Sequence, residues 1–134
     1  MDTNQPTATS TALDALHGWT RLWNGAYDVA PEILTPDARV TFGGVAIGER
    51  ADPLSGPAAI AGLIRDFRAG RPGLVYSEVD VRAWDGFAVV AWDVDGPGLR
   101  RGGIDTFVLD IEGRIAAVRS VTGERGWPRA TIAA

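Results

Sequence analysis

Residues 99–122, LRRGGIDTFVLDIEGRIAAVRSVT, read as two antiparallel strands joined by a turn at Glu112-Gly113. Side chains alternate between the faces of a strand, so Gly103, Asp105, Phe107 and Leu109 share one face and Ile104, Thr106, Val108 and Asp110 the other. Asp105 is thus a carboxylate set in an apolar row, and burying an unpaired charge is expensive. Three explanations are open: this face is wet, Asp105 pairs with an arginine, or it sits at the floor of a pocket with a raised pKa suited to proton transfer.

Working outward, the 134 residues fit one domain with a sizeable core, and a net charge of −4 disfavours nucleic acid or an anionic membrane as partner. All 13 basic residues are arginine, which excludes a lysine Schiff base and a P-loop lysine. Cysteine is absent, so disulfides, thiolate nucleophiles and cysteine-bound metals are excluded. With one histidine, His17, a Ser-His-Asp triad would hang on that residue and a multi-histidine zinc site cannot form. No metal or cofactor is expected. The chain shows no membrane-length apolar run and no signal pattern at its N-terminus, so a cytoplasmic protein is the expectation.

Upstream of the hairpin, residues 1–10 are small and polar and read as a flexible tail. Ser10 or Thr11 is placed to cap a helix carrying Leu13, Leu16, Trp19 and Trp23 on its apolar stripe and stopping at Asn24-Gly25. A second helical stretch over 28–34 starts at Asp28 and is broken by Thr35-Pro36-Asp37, and residues 39–42 make a short strand. Residues 43–54 read as a mobile loop that can form a pocket rim or lid. Ser55-Gly56-Pro57 opens a third helix with Ile60, Leu63, Ile64 and Phe67 inward and Arg65, Asp66 and Arg68 toward water. From residue 75 the period becomes two: Val79 and Val81 oppose Glu78, Asp80 and Arg82, Asp85-Gly86 is a hairpin turn, and 87–94 is apolar on both faces. The domain spans 11–122, and 123–134 is a tail containing Trp127. Helices followed by a four-strand C-terminal meander predict an α+β fold whose twisted sheet curls around three helices.

The segments LWNGAYDVAPEILTPDARVTF, SGPAAIAGLIRDF and GIDTFVLDIEGRI, in this order, resemble the nuclear-transport-factor-2-like family, and within it the SnoaL-like polyketide cyclases and the ketosteroid isomerases. The resemblance implies a cone formed by a curved antiparallel sheet around helices. Asp105 matches the aspartic acid that, in ketosteroid isomerases, stays protonated and donates a hydrogen bond to the substrate oxyanion. The isomerase's general base falls near Phe42 and its tyrosine near Gly18, so two of three roles are unfilled and that mechanism is not expected. A limonene-epoxide-hydrolase reading fails because the last-strand aspartate falls near Ser120. SnoaL-like cyclases use an acid as general acid/base in an apolar chamber, a role Asp105 can fill alone.

If the fold holds, Asp105 is the catalytic candidate and Trp19, Leu22, Phe42, Val90, Trp92, Phe107, Val118 and Ser120 line the chamber. Arg101 stands near its mouth, where pairing with Asp105 would lower the carboxyl pKa, and His17 is a further possible contact. This lining suits a small, flat, apolar or aromatic molecule bearing oxygens. Three functions follow: a cofactor-free isomerase, cyclase or dehydratase acting next to a carbonyl; a non-catalytic small-ligand binder; or a protein-interaction module using the sheet. Asp93, Asp95, Asp110 and Glu112 are expected to be solvated, and the outer face with Phe87, Val89 and Ala91 is expected to form a homodimer.

Overall fold

In the computed structural model, residues 9–43 and 54–123 are described. The first helix, α1 (Ser10–Trp23), begins one residue earlier than expected because Thr9 is its cap, the hydroxyl accepting from the Ala12 amide at 3.1 Å. It ends at Asn24, followed by Gly25 at φ 107°. Ala12, Ala15, Leu16, Trp19, Leu22 and Trp23 are buried, whereas Leu13 is exposed at the edge of the stripe. The second helical stretch is a 3-10 turn, Tyr27–Val29, leading into α2 (Ala30–Ile33), and the Asp28 side chain caps neither.

The strand after α2 is longer than expected. β1 (Leu34–Gly43) includes Thr35-Pro36-Asp37, and its pairing slips between Leu34 and Arg39. Proline has no amide to give a ladder, so it sits where that ladder is interrupted. A two-residue strand, β2 (Leu54–Ser55), pairs with β1 and leads into α3 (Pro57–Ala69) through Gly56 at φ 90°. The loop read over 43–54 lies, apart from its two ends, outside the described residues, as do 1–8 and 124–134, including Trp127. Arg68 of α3 does not face water alone: it donates to the Trp23 and Leu74 carbonyls, both at 2.9 Å, tying α3 to the end of α1.

The remaining strands, β3 (Val75–Trp84), β4 (Phe87–Gly96), β5 (Leu99–Leu109) and β6 (Ile115–Gly123), form the expected meander. The sheet order is β2-β1-β6-β5-β4-β3, antiparallel except that β1 runs parallel to β6. The described chain is an α+β cone: a curved, unclosed six-stranded sheet with the helices packed on its inner face.

Pairing register stacks the inner face into rows. Tyr76, Val94 and Arg101 form one; Glu78, Trp92, Gly103 and Thr122 the next; Val81, Val90, Asp105, Ser120 and Phe42 the third. The expected alternation of β3 fails at one point. A bulge between Glu78 and Asp80 leaves Val79 as the extra residue, so Glu78 shares the inner side with Val81 rather than opposing it.

Candidate functional site

Asp105 is inward-facing and buried, only 4% exposed, in the middle of β5. Its Oδ2 accepts from the Trp19 indole Nε1 at 2.8 Å and its Oδ1 from the Trp92 indole Nε1 at 2.9 Å. Ser120, directly across the β5–β6 ladder, is its third hydrogen-bond partner. Burial pushes the carboxyl pKa above its ordinary value, against the opposing pull of Ser120, Trp19 and Trp92. Neither the wet face nor an arginine partner accounts for the residue, since Arg101 is not among its contacts.

The two indoles reach Asp105 for separate reasons. Trp19 comes from the buried stripe of α1, held edge-on by Phe107 and Trp23 at centroid distances of 6.0 and 6.1 Å. Trp92 lies across the strand from Gly103, where a Cβ would overlap its ring and the Val121 carbonyl. Only a glycine lets the ring lie flat on β5 and carry its N–H to Asp105, two residues along.

A cavity opens beside this cluster. Of the expected lining, Trp19, Val90, Trp92, Asp105, Ser120 and Arg101 border it. Leu22, Phe42, Phe107 and Val118 do not; they are buried in the core behind the walls. His17 is also outside. It is half exposed and its Nδ1 lies 2.8 Å from Glu78 Oε1, while Thr20 donates to the other oxygen of Glu78 at 2.7 Å. Together with Asn24, which exchanges two hydrogen bonds with the Tyr76 backbone at 2.9 and 2.7 Å, these side chains clasp α1 to β3.

Sequence reasoning missed Thr20, Trp23, Phe67, Tyr76, Val94, Leu99 and Thr122, which complete the wall and rim. Trp23 was within reach, being one helical turn beyond Trp19. Tyr76 was hidden by the bulge at Val79. Its ring bridges Trp23 and Trp92 at 5.2 and 5.6 Å. Its hydroxyl pKa is raised, first by burial and further by Asp105, with Arg68 and Arg71 opposing.

The cavity is narrow. Only ≈ 30 Å³ of it admits the centre of a water-sized sphere, room for about one or two waters, whereas all the space between atoms, open solvent at the mouth included, is ≈ 570 Å³. The aromatic side chains fill most of the cone. Among the described residues no three His, Asp or Glu side chains group as metal ligands, and no helix is long and apolar enough to cross a membrane.

No family model and no curated protein matches this sequence. Solved structures match its fold. A candidate SnoaL-like polyketide cyclase from Jannaschia Sp. CCS1 superposes with a TM-score of 0.73 at 15% identity, covering 90% of this chain and 91% of that one. A candidate isomerase of the SnoaL-like family from Agrobacterium tumefaciens gives 0.70 at 19% identity over 85% and 98%. A steroid delta-isomerase from Pseudomonas aeruginosa gives 0.65 at 17% identity over 90% and 85%. The chain is therefore a nuclear-transport-factor-2-like α+β cone, of the shape shared with SnoaL-like cyclases and ketosteroid isomerases.

Proposed function

We propose that this protein is a small-molecule isomerase, cyclase or dehydratase that works next to a carbonyl without a cofactor, with Asp105 as the group that holds and delivers the proton. The carrying observation is a buried carboxyl bordering a cavity, with its pKa raised by burial and both oxygens held by indole donors. An indole N–H can only donate, so both oxygens of Asp105 already act as acceptors. The acid hydrogen of the neutral form therefore has two destinations, the Ser120 hydroxyl or a ligand oxygen that takes its place.

A carbonyl oxygen there gains negative charge as its neighbouring carbon loses a proton, and a donor in a dry site stabilises that charge. Once the proton has moved, the carboxylate is held by Trp19, Trp92 and Ser120. Burial supports one protonation state and three donors support the other, which is what a reversible acid/base needs. Phe42 stands in the same row as Asp105 and cannot accept a proton. Among the described residues Asp105 is the only carboxyl bordering the cavity, so the reading is confined to reactions in which one carboxyl both gives and takes the proton.

The narrowness of the cavity favours a second reading, a binder that turns nothing over, because a ligand must lie in the mouth or displace wall side chains. Native mass spectrometry of molecules carried through purification supplies the test compound, followed by Asp105→Asn. Turnover by the wild type, lost in the variant with binding kept, supports the enzyme. Binding with no turnover by the wild type refutes it and leaves the binder.

A further inference from the structure

The inner parity of β5 runs Arg101, Gly103, Asp105. Arg101 stands on the same face as Asp105 and four residues away, roughly 13 Å at about 3.3 Å per residue. It borders the cavity and is exposed at the mouth. Its neighbour on the opposite face, Arg100, is paired with Asp95 at 3.3 Å. Arg101 has no carboxylate partner among the described residues.

A second guanidinium lies at the same end. Arg71 stacks over Phe67, a cavity residue, 4.1 Å from the ring centre, and lies near enough to Tyr76 to influence its hydroxyl. Tyr76 shares the cross-strand row of Arg101. Arg71 likewise has no acidic partner among the described residues. A chain of net charge −4 thus places, around an aromatic mouth, two cations with no acidic partner among the described residues.

We propose that the cavity takes a flat conjugated carboxylate carrying a second, neutral oxygen, with the anionic group at Arg101 and Arg71, the ring against Trp92 and Tyr76, and the neutral oxygen toward Asp105. This rests on the reading of the Asp105 cavity as a small-molecule site, and it adds the charge and polarity of the ligand. The two ends ask for different oxygens. A guanidinium fork binds a carboxylate through parallel charge-assisted bonds. Asp105 offers a proton to an acceptor, and an anion beside it would be repelled whenever the carboxyl ionised. Part of that roughly 13 Å is spanned by the Arg101 side chain itself, leaving a gap suited to a single para-substituted ring.

Calorimetric titration of the intact protein with para-acetylbenzoate and with its methyl ester tests this. The acid is expected to bind at least about tenfold more tightly than the ester. That gap should close in the Arg71→Gln/Arg101→Gln double variant and shrink with added salt, since exposed charge pairs are screened. Equal binding of acid and ester, a gap that survives in the double variant, or no binding of either probe overturns the proposal. A neutral ligand with no acidic group recovered by native mass spectrometry also overturns it, while leaving the Asp105 reading standing. Loss of Asp105 dependence with the acid–ester gap intact does the reverse.

Discussion

At the scale of single residues, Asp105 unites two buried indoles that would otherwise lack acceptors. Asp105→Asn tests that role, because an amide has one acceptor oxygen where the carboxyl has two. One indole N–H is left without a partner, and the expected cost is about 1–3 kcal/mol in chemical denaturation, with one of two indole proton resonances displaced. The pH dependence has a definite sign. The folded pKa lies above the ordinary 3.8, so the contribution of Asp105 to stability is complete below that value and is lost as pH rises through the folded pKa. The stability advantage of wild type over Asp105→Asn is therefore greatest in acid and shrinks with rising pH; an advantage that grows with pH contradicts the raised pKa. Gly103→Ala is the steric counterpart. The added methyl overlaps the Trp92 ring and the Val121 carbonyl, so a loss of about 1–3 kcal/mol is expected, with the Trp92 indole resonance shifted.

At the scale of elements, the bulge at Val79 matters more than any other irregularity. It brings Tyr76 and Glu78 to the helix side of β3 while keeping Val81 and Ala83 inward. Glu78 pairs with Trp92 and Asp80 with the adjacent Ala91, so deleting Val79 leaves the same partners in an even ladder and keeps residues 75–78 on the same faces. The expected result is that the clasp between Glu78 and α1 and the Tyr76 wall survive, read as an unchanged near-ultraviolet aromatic signal. A weakened aromatic signal would refute this account of the bulge. The other departures from expectation have local causes. Pro36 was read as a breaker, but a strand tolerates it where the ladder slips. Asp110 was read as solvated, but its carboxylate accepts from the Glu112 and Arg114 amides at 2.9 and 2.8 Å and shapes the β5–β6 turn.

At the scale of the molecule, the outer face of the sheet keeps apolar side chains in water. Phe87 and Val108 are direct neighbours across β4 and β5 and are 43% and 51% exposed, and Val121, beside Ile104, is 54% exposed. We propose that two copies pair through this face, as its composition suggested. Sedimentation equilibrium is expected to give a dimer for wild type and a monomer for Val89→Glu, with ligand binding kept in the variant. A wild type that stays monomeric at high concentration removes the proposal.

What the amino-acid order determined by itself is whatever depends on local geometry. Two-residue periodicity placed Asp105 on the face of Phe107 and Leu109, glycine-bearing turns delimited the hairpins, and helical spacing buried Trp19 and Trp23. These follow from bond angles and side-chain alternation, which need no knowledge of distant partners. Only the tertiary structure decided what Asp105 meets and how much room is left. Its partner Trp19 lies 86 residues away, and the bulge that turns Tyr76 inward has no signature in composition. The size of the cavity was undecidable for the same reason: it is the small remainder after aromatic rings from α1, α3 and four strands have packed, and a remainder depends on every one of them.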